Sequence, residues 1–205
     1  MQVSPKWFED NGYKLHEVLY HQDLIPFVKN YILKKNIFTF GYLFLNLLFL
    51  LLLLTRIIFS LANFQLDFSN TFTFLGFGCA LTFLLIPIHE GLHGIAYKMC
   101  GAPTVTFAAN WKKMYFMAIA DKFPIGRKPF LFVGLAPFVI ISLLFIFLAA
   151  TGSPQFQIMY FTVLLVHASM CIGDFALMSY FSEQGDKEVI TFDDYENSLT
   201  YFYSK

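Results

Sequence analysis

Residues 37–59, which read IFTFGYLFLNLLFLLLLLTRIIF, decide the fold class of this chain. The stretch carries a single charged residue, Arg56, close to its far end. A helix needs roughly 20 apolar residues to cross the hydrocarbon core of a bilayer. We therefore interpret residues 37–59 as a membrane-spanning helix, with the long side chain of Arg56 reaching the interface.

Three further stretches of the chain have the same character, at residues 71–97, 129–150 and 156–181. The whole chain is 57% hydrophobic and only 14% charged, whereas about a quarter of the residues in a soluble domain are charged. The sequence thus predicts an all-α membrane protein with four transmembrane helices and the lipid bilayer as its surroundings. Its formal net charge of zero gives no support for a nucleic-acid partner.

The distribution of basic residues predicts the orientation, because Lys and Arg are retained on the cytoplasmic side of short loops. They occur in residues 1–36 and in the loop between the second and third spans, but not in the connections around Asp67 and Gly152. We expect both termini in the cytoplasm. The chain then divides into a cytoplasmic N-terminal segment (1–36), a four-helix membrane domain (37–181) and an acidic cytoplasmic tail (182–205).

The loop between the second and third spans contains two strand-like runs, at residues 104–107 and 114–119. Both are rich in β-branched, aromatic or other apolar residues, and the sequence Asn-Trp-Lys-Lys at 110–113 separates them. This pattern is typical of a hairpin with a longer loop. We predict a short β-hairpin at the cytoplasmic surface of the membrane.

The second span contains an HExxH motif, His89-Glu90-Gly91-Leu92-His93. Histidines four residues apart lie one turn above each other on one helical face, so both imidazoles can reach one zinc ion. The intervening glutamate is placed to act as a general base towards the attacking water. Ionisable groups inside an apolar run are costly unless they are paired, bound to metal or exposed to a wet cavity. The motif therefore predicts His89 and His93 as metal ligands and Glu90 as the catalytic base.

A catalytic zinc site usually has a third protein ligand, and Asp174 in the fourth span is the best candidate. The second and fourth spans run in the same direction, and His89 and Asp174 each lie about 18 residues, or roughly 27 Å, below the outer ends of their spans. His167 shares a helical face with Asp174 but should lie about 10 Å nearer the outer leaflet, so we expect it to be a helix-facing or supporting residue. His16 and His21 belong to the polar N-terminal segment and are predicted at the surface.

These residues resemble a known family, the bacterial membrane proteins described as putative zincin peptidases, which are related to the site-2 proteases. The resemblance rests on the HExxH motif followed by Gly94, the strand-like loop, Leu135-Ala136-Pro137 in the third span and Asp174 late in the fourth. It covers roughly residues 71–195. The metal motif is its most specific feature.

The resemblance implies an intramembrane zinc metallopeptidase that hydrolyses polypeptides in or beside the membrane. Zn²⁺ would be held by His89, His93 and Asp174, with Glu90 as base, and the hairpin could add a strand to an extended substrate. It also implies the bacterial cytoplasmic membrane as the location and is compatible with a homo-oligomer.

A non-catalytic function is the alternative, either a zinc-binding membrane chaperone or a regulator with the same fold. In that case a fourth protein ligand would close the metal site, whereas a catalytic site leaves room for water. Metal transport is the least favoured reading. It would require ionisable residues across the bilayer, and the outer halves of the spans carry little beyond His167 and Arg56.

Overall fold

The computed structural model describes residues 3–110, 112 and 115–205. The chain divides into two compact units, which are described separately. The helical unit comprises Phe40–His89 and Phe138–Ile172, and the mixed unit comprises Met1–Thr39, Glu90–Pro137 and Gly173–Lys205.

Helices make up most of the structure. They are α1 (Pro5–Asp10), α2 (Leu24–Ile32), α3 (Ile37–Ala62), α4 (Phe68–Leu84), α5 (Ile86–Met99), α6 (Arg127–Thr151), α7 (Pro154–Met170) and α8 (Ile172–Glu183), with a 3₁₀ turn at His21–Asp23. The strands are β1 (Lys14–Tyr20), β2 (Thr106–Asn110), β3 (Tyr115–Ile119), β4 (Ile125–Gly126), β5 (Val189–Asp194) and β6 (Leu199–Ser204).

Three helical stretches are long and apolar enough to cross a membrane: α3, the Phe68–Met99 stretch formed by α4 and α5, and α6. The bent pair α7 and α8 would make a fourth span. Apolar side chains along α3, such as Leu47 and Leu51, are more than half exposed, as expected of a helix that faces lipid. These features indicate a membrane protein. The four-span arrangement and the cytoplasmic side of both termini stay predictions.

The description as all-α was incomplete, because the mixed unit contains two small antiparallel sheets. The larger sheet has the strand order β1-β6-β5-β4. Its first strand comes from the N-terminal segment, and β5 and β6 come from the acidic tail, where we had predicted no strand. Aromatic side chains explain the sheet, since Phe202 of β6 is fully buried against Phe181 and Tyr180 of α8.

The smaller sheet is the predicted hairpin. Strands β2 and β3 pair antiparallel, from Thr106 opposite Ile119 to Asn110 opposite Tyr115. The two-stranded pairing is confirmed, while its position on the cytoplasmic side of the membrane stays a prediction. Residues 111 and 113 of the predicted loop, and residue 114 of the second predicted strand, lie outside the described residues.

A close approach between α4 and α7 determines the packing of the helical unit. A Cβ atom on Gly78 of α4 would lie 2.6 Å from Cβ of Thr162 and 2.8 Å from the carbonyl oxygen of Met159, both on α7. Only a residue without a side chain fits this contact. Small residues commonly allow such approaches between membrane helices, where close packing replaces the hydrophobic effect as the stabilising interaction.

Candidate functional site

The HExxH motif lies on α5, which begins just after a short break that follows α4. Pro87 has no N–H group and is tolerated in the first turn of a helix. Regular helical hydrogen bonding is in place at His89, whose N–H donates to the carbonyl of Leu85 at 2.8 Å. His89 and His93 therefore lie one turn apart on the same face of α5, as predicted from their spacing.

His93 is held in a defined orientation inside the mixed unit. Its side chain is buried, and Nδ1 lies 2.9 Å from the carbonyl oxygen of Val133 on α6. A carbonyl oxygen only accepts hydrogen bonds, so Nδ1 carries a proton and donates it. In the neutral ring this leaves Nε2 with a lone pair, which is the arrangement found in histidines that bind metal.

The Nε2 atom of His93 points at Asp174, whose Oδ1 lies 3.3 Å away. Asp174 stands in the first turn of α8, where the helix N-terminus favours a negative charge. We had placed Asp174 inside one continuous span, but the helix is interrupted at Cys171 between α7 and α8.

The spacing of these two atoms fits a shared zinc ion. Zinc binds imidazole nitrogen and carboxylate oxygen at about 2.0–2.2 Å with tetrahedral geometry, which places neighbouring ligand atoms about 3.3 Å apart. The observed distance of 3.3 Å between His93 and Asp174 matches that edge. Two imidazoles and one carboxylate are also a donor set that suits zinc.

His89 has a histidine partner within the helical unit. Its Nδ1 lies 3.0 Å from Nε2 of His167 on α7, and Sγ of Cys171 lies 3.9 Å from the same nitrogen. The depth argument that separated His167 from the motif was wrong, because it assumed straight helices of equal tilt. A proton on Nδ1 of His89, donated to His167, would leave Nε2 of His89 as the ligand atom, by the same logic as for His93.

A cavity of about 120 Å³ lies within the mixed unit, and Glu90, His93 and Asp174 form part of its wall. Most of the remaining lining is apolar and comes from helices α2, α6 and α8 and from both sheets. Typical apolar lining residues are Leu24, Phe116, Ile119, Phe130, Leu177 and Phe202. The motif thus opens into a small, largely apolar space, as is usual for ligand sites.

The cavity wall also contains a polar group that we had not predicted. His21 was expected at the surface, but its side chain is buried with 6% exposure and lines the cavity. Its Nε2 lies 3.1 Å from Oγ1 of Thr200, which donates a hydrogen bond of 2.6 Å to Oδ1 of Asp193. The run of three aromatic residues at 201–203 could have indicated strand β6, but no local signal marked His21.

Burial changes the acid–base properties of this polar group. It lowers the pKa of His21, because the charged imidazolium is poorly solvated there. Burial also raises the pKa of Asp193, to about 6. The hydrogen bond from Thr200 acts in the opposite direction and lowers this pKa, whereas the nearby charge of Asp121 raises it further. At neutral pH the imidazole of His21 is therefore neutral. The carboxyl group of Asp193 is mostly ionised, although it is a weaker acid than an ordinary aspartic acid.

Comparison with known families identifies the group to which the chain is related. A family model described as "Putative zincin peptidase" matches residues 82–188, which is more than half of the chain. The chain belongs to this family. Membership of the zincin family suggests metallopeptidase activity with zinc as the cofactor, and the matched region contains the HExxH motif, the hairpin and Asp174. No curated protein and no solved structure matches the chain.

Proposed function

We propose that this chain is an intramembrane zinc metallopeptidase, similar to the site-2 proteases, that hydrolyses polypeptides in or beside the membrane. The contact between His93 and Asp174, in a cavity that Glu90 also lines, is the observation that carries the proposal. Family membership supports the peptidase chemistry. The apolar helices on both sides of the motif support a location within the membrane, which we propose to be the bacterial cytoplasmic membrane with both termini in the cytoplasm.

In this proposal His89, His93 and Asp174 hold the metal ion. Zinc, when bound, supplies Lewis acidity that activates water and polarises the scissile carbonyl group. Val133 fixes the tautomer of His93 through its carbonyl oxygen, and His167 does the same for His89 through Nε2. Supporting hydrogen bonds of this kind orient the imidazoles and increase their basicity as ligands.

Glu90 handles the proton in the proposed reaction. Its carboxylate accepts a proton from the attacking water and then donates it to the nitrogen of the leaving amine. Glu90 lies three residues before His93 on α5, so the two side chains are neighbours on the helix surface, and both line the cavity. The apolar lining limits the access of bulk water and strengthens electrostatic interactions within the site.

Strand β3 provides a means of holding the substrate. Residues 116–119 of β3 line the cavity, and among the strands that the structure describes β3 pairs only with β2. An extended peptide can add to an unpaired strand edge by main-chain hydrogen bonds. We propose that the polypeptide substrate lies along β3, with its scissile bond at the cavity.

The decisive experiment is the Glu90→Gln substitution in the purified protein. The variant keeps the shape of the side chain and loses the base, so we expect bound zinc at the level of the unmodified protein and a loss of peptide hydrolysis of at least about 100-fold. Glu196→Gln, at an exposed position outside the cavity, is the matched control and should hydrolyse normally. Undiminished hydrolysis by Glu90→Gln would refute the mechanism.

One observation favours a second candidate function, a non-catalytic zinc protein that acts as a chaperone or regulator. His89, His167 and Cys171 each offer a ligand atom within 4.8 Å of the others, entirely inside the helical unit, and His167 and Cys171 are buried. Such a set supplies three of the four protein ligands that a structural zinc ion needs. Zinc analysis separates the two: Asp174→Ala loses zinc if the site is catalytic, whereas Cys171→Ala loses zinc if it is structural.

A further inference from the structure

The cavity beside the HExxH motif has room for a single side chain. Glu90, His93 and Asp174 lie on its wall, and its volume is about 120 Å³. For comparison, an apolar cavity of about 150 Å³ binds one benzene molecule. The branched aliphatic side chain of leucine is therefore of a suitable size, whereas the fused rings of tryptophan exceed the space. The volume favours one aliphatic group of intermediate size.

The apolar part of the wall consists of well-packed residues. Ile125, Phe130 and Phe202 line the cavity and belong to the hydrophobic core of the mixed unit, where each is at most 7% exposed. Leu177 also lines the cavity and packs against this core. Protein interiors are otherwise close-packed, and an apolar cavity costs stability. An apolar group that enters is removed from water without rearranging the wall, and this burial favours binding.

The polar side chains of the wall contact one another. Oγ1 of Thr200 donates to Oδ1 of Asp193 at 2.6 Å and lies 3.1 Å from Nε2 of His21. Nε2 of His93 faces Oδ1 of Asp174 at 3.3 Å. Since these groups have partners within the protein, the apolar surface of the cavity determines which ligand group fits best.

The geometry of an extended peptide limits the cavity to one substrate residue. Successive side chains of a strand point to opposite faces, so a peptide paired with β3 directs only every second side chain towards the cavity. A volume of about 120 Å³ holds one of them. Glu90 and the contact between His93 and Asp174 belong to the same wall. The side chain that enters therefore belongs to a residue beside the scissile bond.

We propose that the cavity binds one aliphatic side chain of the polypeptide substrate, of the size of leucine or methionine, and that Leu177 sets the upper limit of that size. Leu177 lies three residues after Asp174 on α8, so both side chains are on one face of the helix, and both line the cavity. This inference rests on the proposed peptidase function and adds the substrate class to it.

The test measures the binding of short, polar peptides that differ at a single position. The full chain carrying Glu90→Gln, loaded with zinc in detergent micelles, is titrated with peptides labelled with a fluorophore at the carboxyl terminus, and micelles without protein give the background. The varied residue is alanine, leucine or tryptophan. Each additional buried carbon atom contributes about fourfold, so the leucine peptide should bind roughly 10- to 100-fold more tightly than the alanine peptide. The tryptophan peptide should bind more weakly than the leucine peptide, although its apolar surface is larger.

Two substitutions at position 177, each added to Glu90→Gln, should move the size limit in opposite directions. Leu177→Ala enlarges the cavity, so the tryptophan peptide should bind at least as tightly as the leucine peptide. Leu177→Phe takes up part of the volume and should reduce the preference for leucine over alanine to less than about threefold. Leu33→Ala, at a position that is 73% exposed and outside the cavity, is the matched control and should keep the full preference.

The outcomes separate this inference from the peptidase proposal. Equal binding of the alanine and leucine peptides, or no binding of either, would overturn the inference. Tightest binding of the tryptophan peptide before any change at position 177 would overturn it too, as would a preference that neither substitution of Leu177 alters. If the chain with Glu90 intact hydrolyses no peptide while the size preference holds, the peptidase proposal alone fails. If it hydrolyses the peptides but binds them equally, the inference alone fails.

Discussion

The contact between α4 and α7 predicts opposite effects for two glycine substitutions two residues apart. A Cβ atom at position 78 would lie 2.6 Å from Cβ of Thr162, 2.8 Å from the carbonyl oxygen of Met159 and 2.9 Å from Cγ2 of Thr162. Ordinary carbon contacts begin at about 3.5 Å, so Gly78→Ala forces α4 and α7 apart by a large fraction of 1 Å. Nothing lies within 4 Å of the corresponding atom at Gly76.

The size of the packing effect is the difference between the free energies of unfolding of the two variants. Both substitutions gain helix propensity of up to about 1 kcal/mol, because alanine replaces glycine within the same helix. Only Gly78→Ala also overpacks the interface, at a cost of about 1–3 kcal/mol. The difference between the two free energies of unfolding isolates the packing effect. We expect Gly78→Ala to be the less stable variant by about 1–3 kcal/mol.

Equilibrium unfolding in mixed micelles with increasing denaturing detergent, followed by circular dichroism, measures this difference. Gly78→Ala should unfold at a lower detergent fraction than the unmodified chain, and Gly76→Ala at an equal or higher fraction. Coincident transitions for the two variants would refute the proposed close approach of α4 and α7.

The remaining predictions concern His167 and Asp193. His167→Ala should weaken zinc binding roughly 10- to 100-fold, because it removes the hydrogen-bond partner of His89. Competition with a chromophoric chelator measures the zinc affinity. An unchanged affinity would exclude a supporting role for His167. The contribution of Asp193 to the free energy of unfolding should fall as the pH rises from about 4 through about 6. Asp193, beside Asp121, His21 and Thr200, has a folded pKa of about 6 against an ordinary 3.8, so the folded state is favoured while this carboxyl is protonated. Asp193→Asn should flatten that decline in denaturation curves recorded at several pH values, and an identical decline would contradict it.

The membrane-spanning helices could be predicted from the sequence because their signal is local. Residues 37–59 and 129–150 were predicted as spans, and α3 and α6 extend only a few residues beyond these limits. The hairpin was also predictable, since strands β2 and β3 are close in sequence and rich in β-forming residues. The four-stranded sheet was not, because its pairs join distant segments: Leu19 of β1 lies opposite Thr200 of β6.

The candidate site shows the same division between local and distant information. Helical periodicity placed His89 and His93 on one face of α5, and the predicted neighbourhood of Asp174 agrees with its 3.3 Å distance from His93. The binding of zinc by these residues stays a prediction. The positions of His167 and His21 could not be predicted from the sequence. That of His167 depends on how the helices cross, and that of His21 depends on the pairing of β1 with β6. The spacing of residues along the chain gives neither.

The pairing of β1 with β6 has a consequence for biosynthesis. The cavity wall combines His21 near one end of the chain with Thr200 near the other, whereas the HExxH motif and Asp174 fall between them. A nascent polypeptide leaves the ribosome with its amino end first, so the motif and Asp174 emerge before Thr200 does. The residues proposed to hold the metal ion therefore leave the ribosome before strand β6 can pair with β1 and complete the cavity wall.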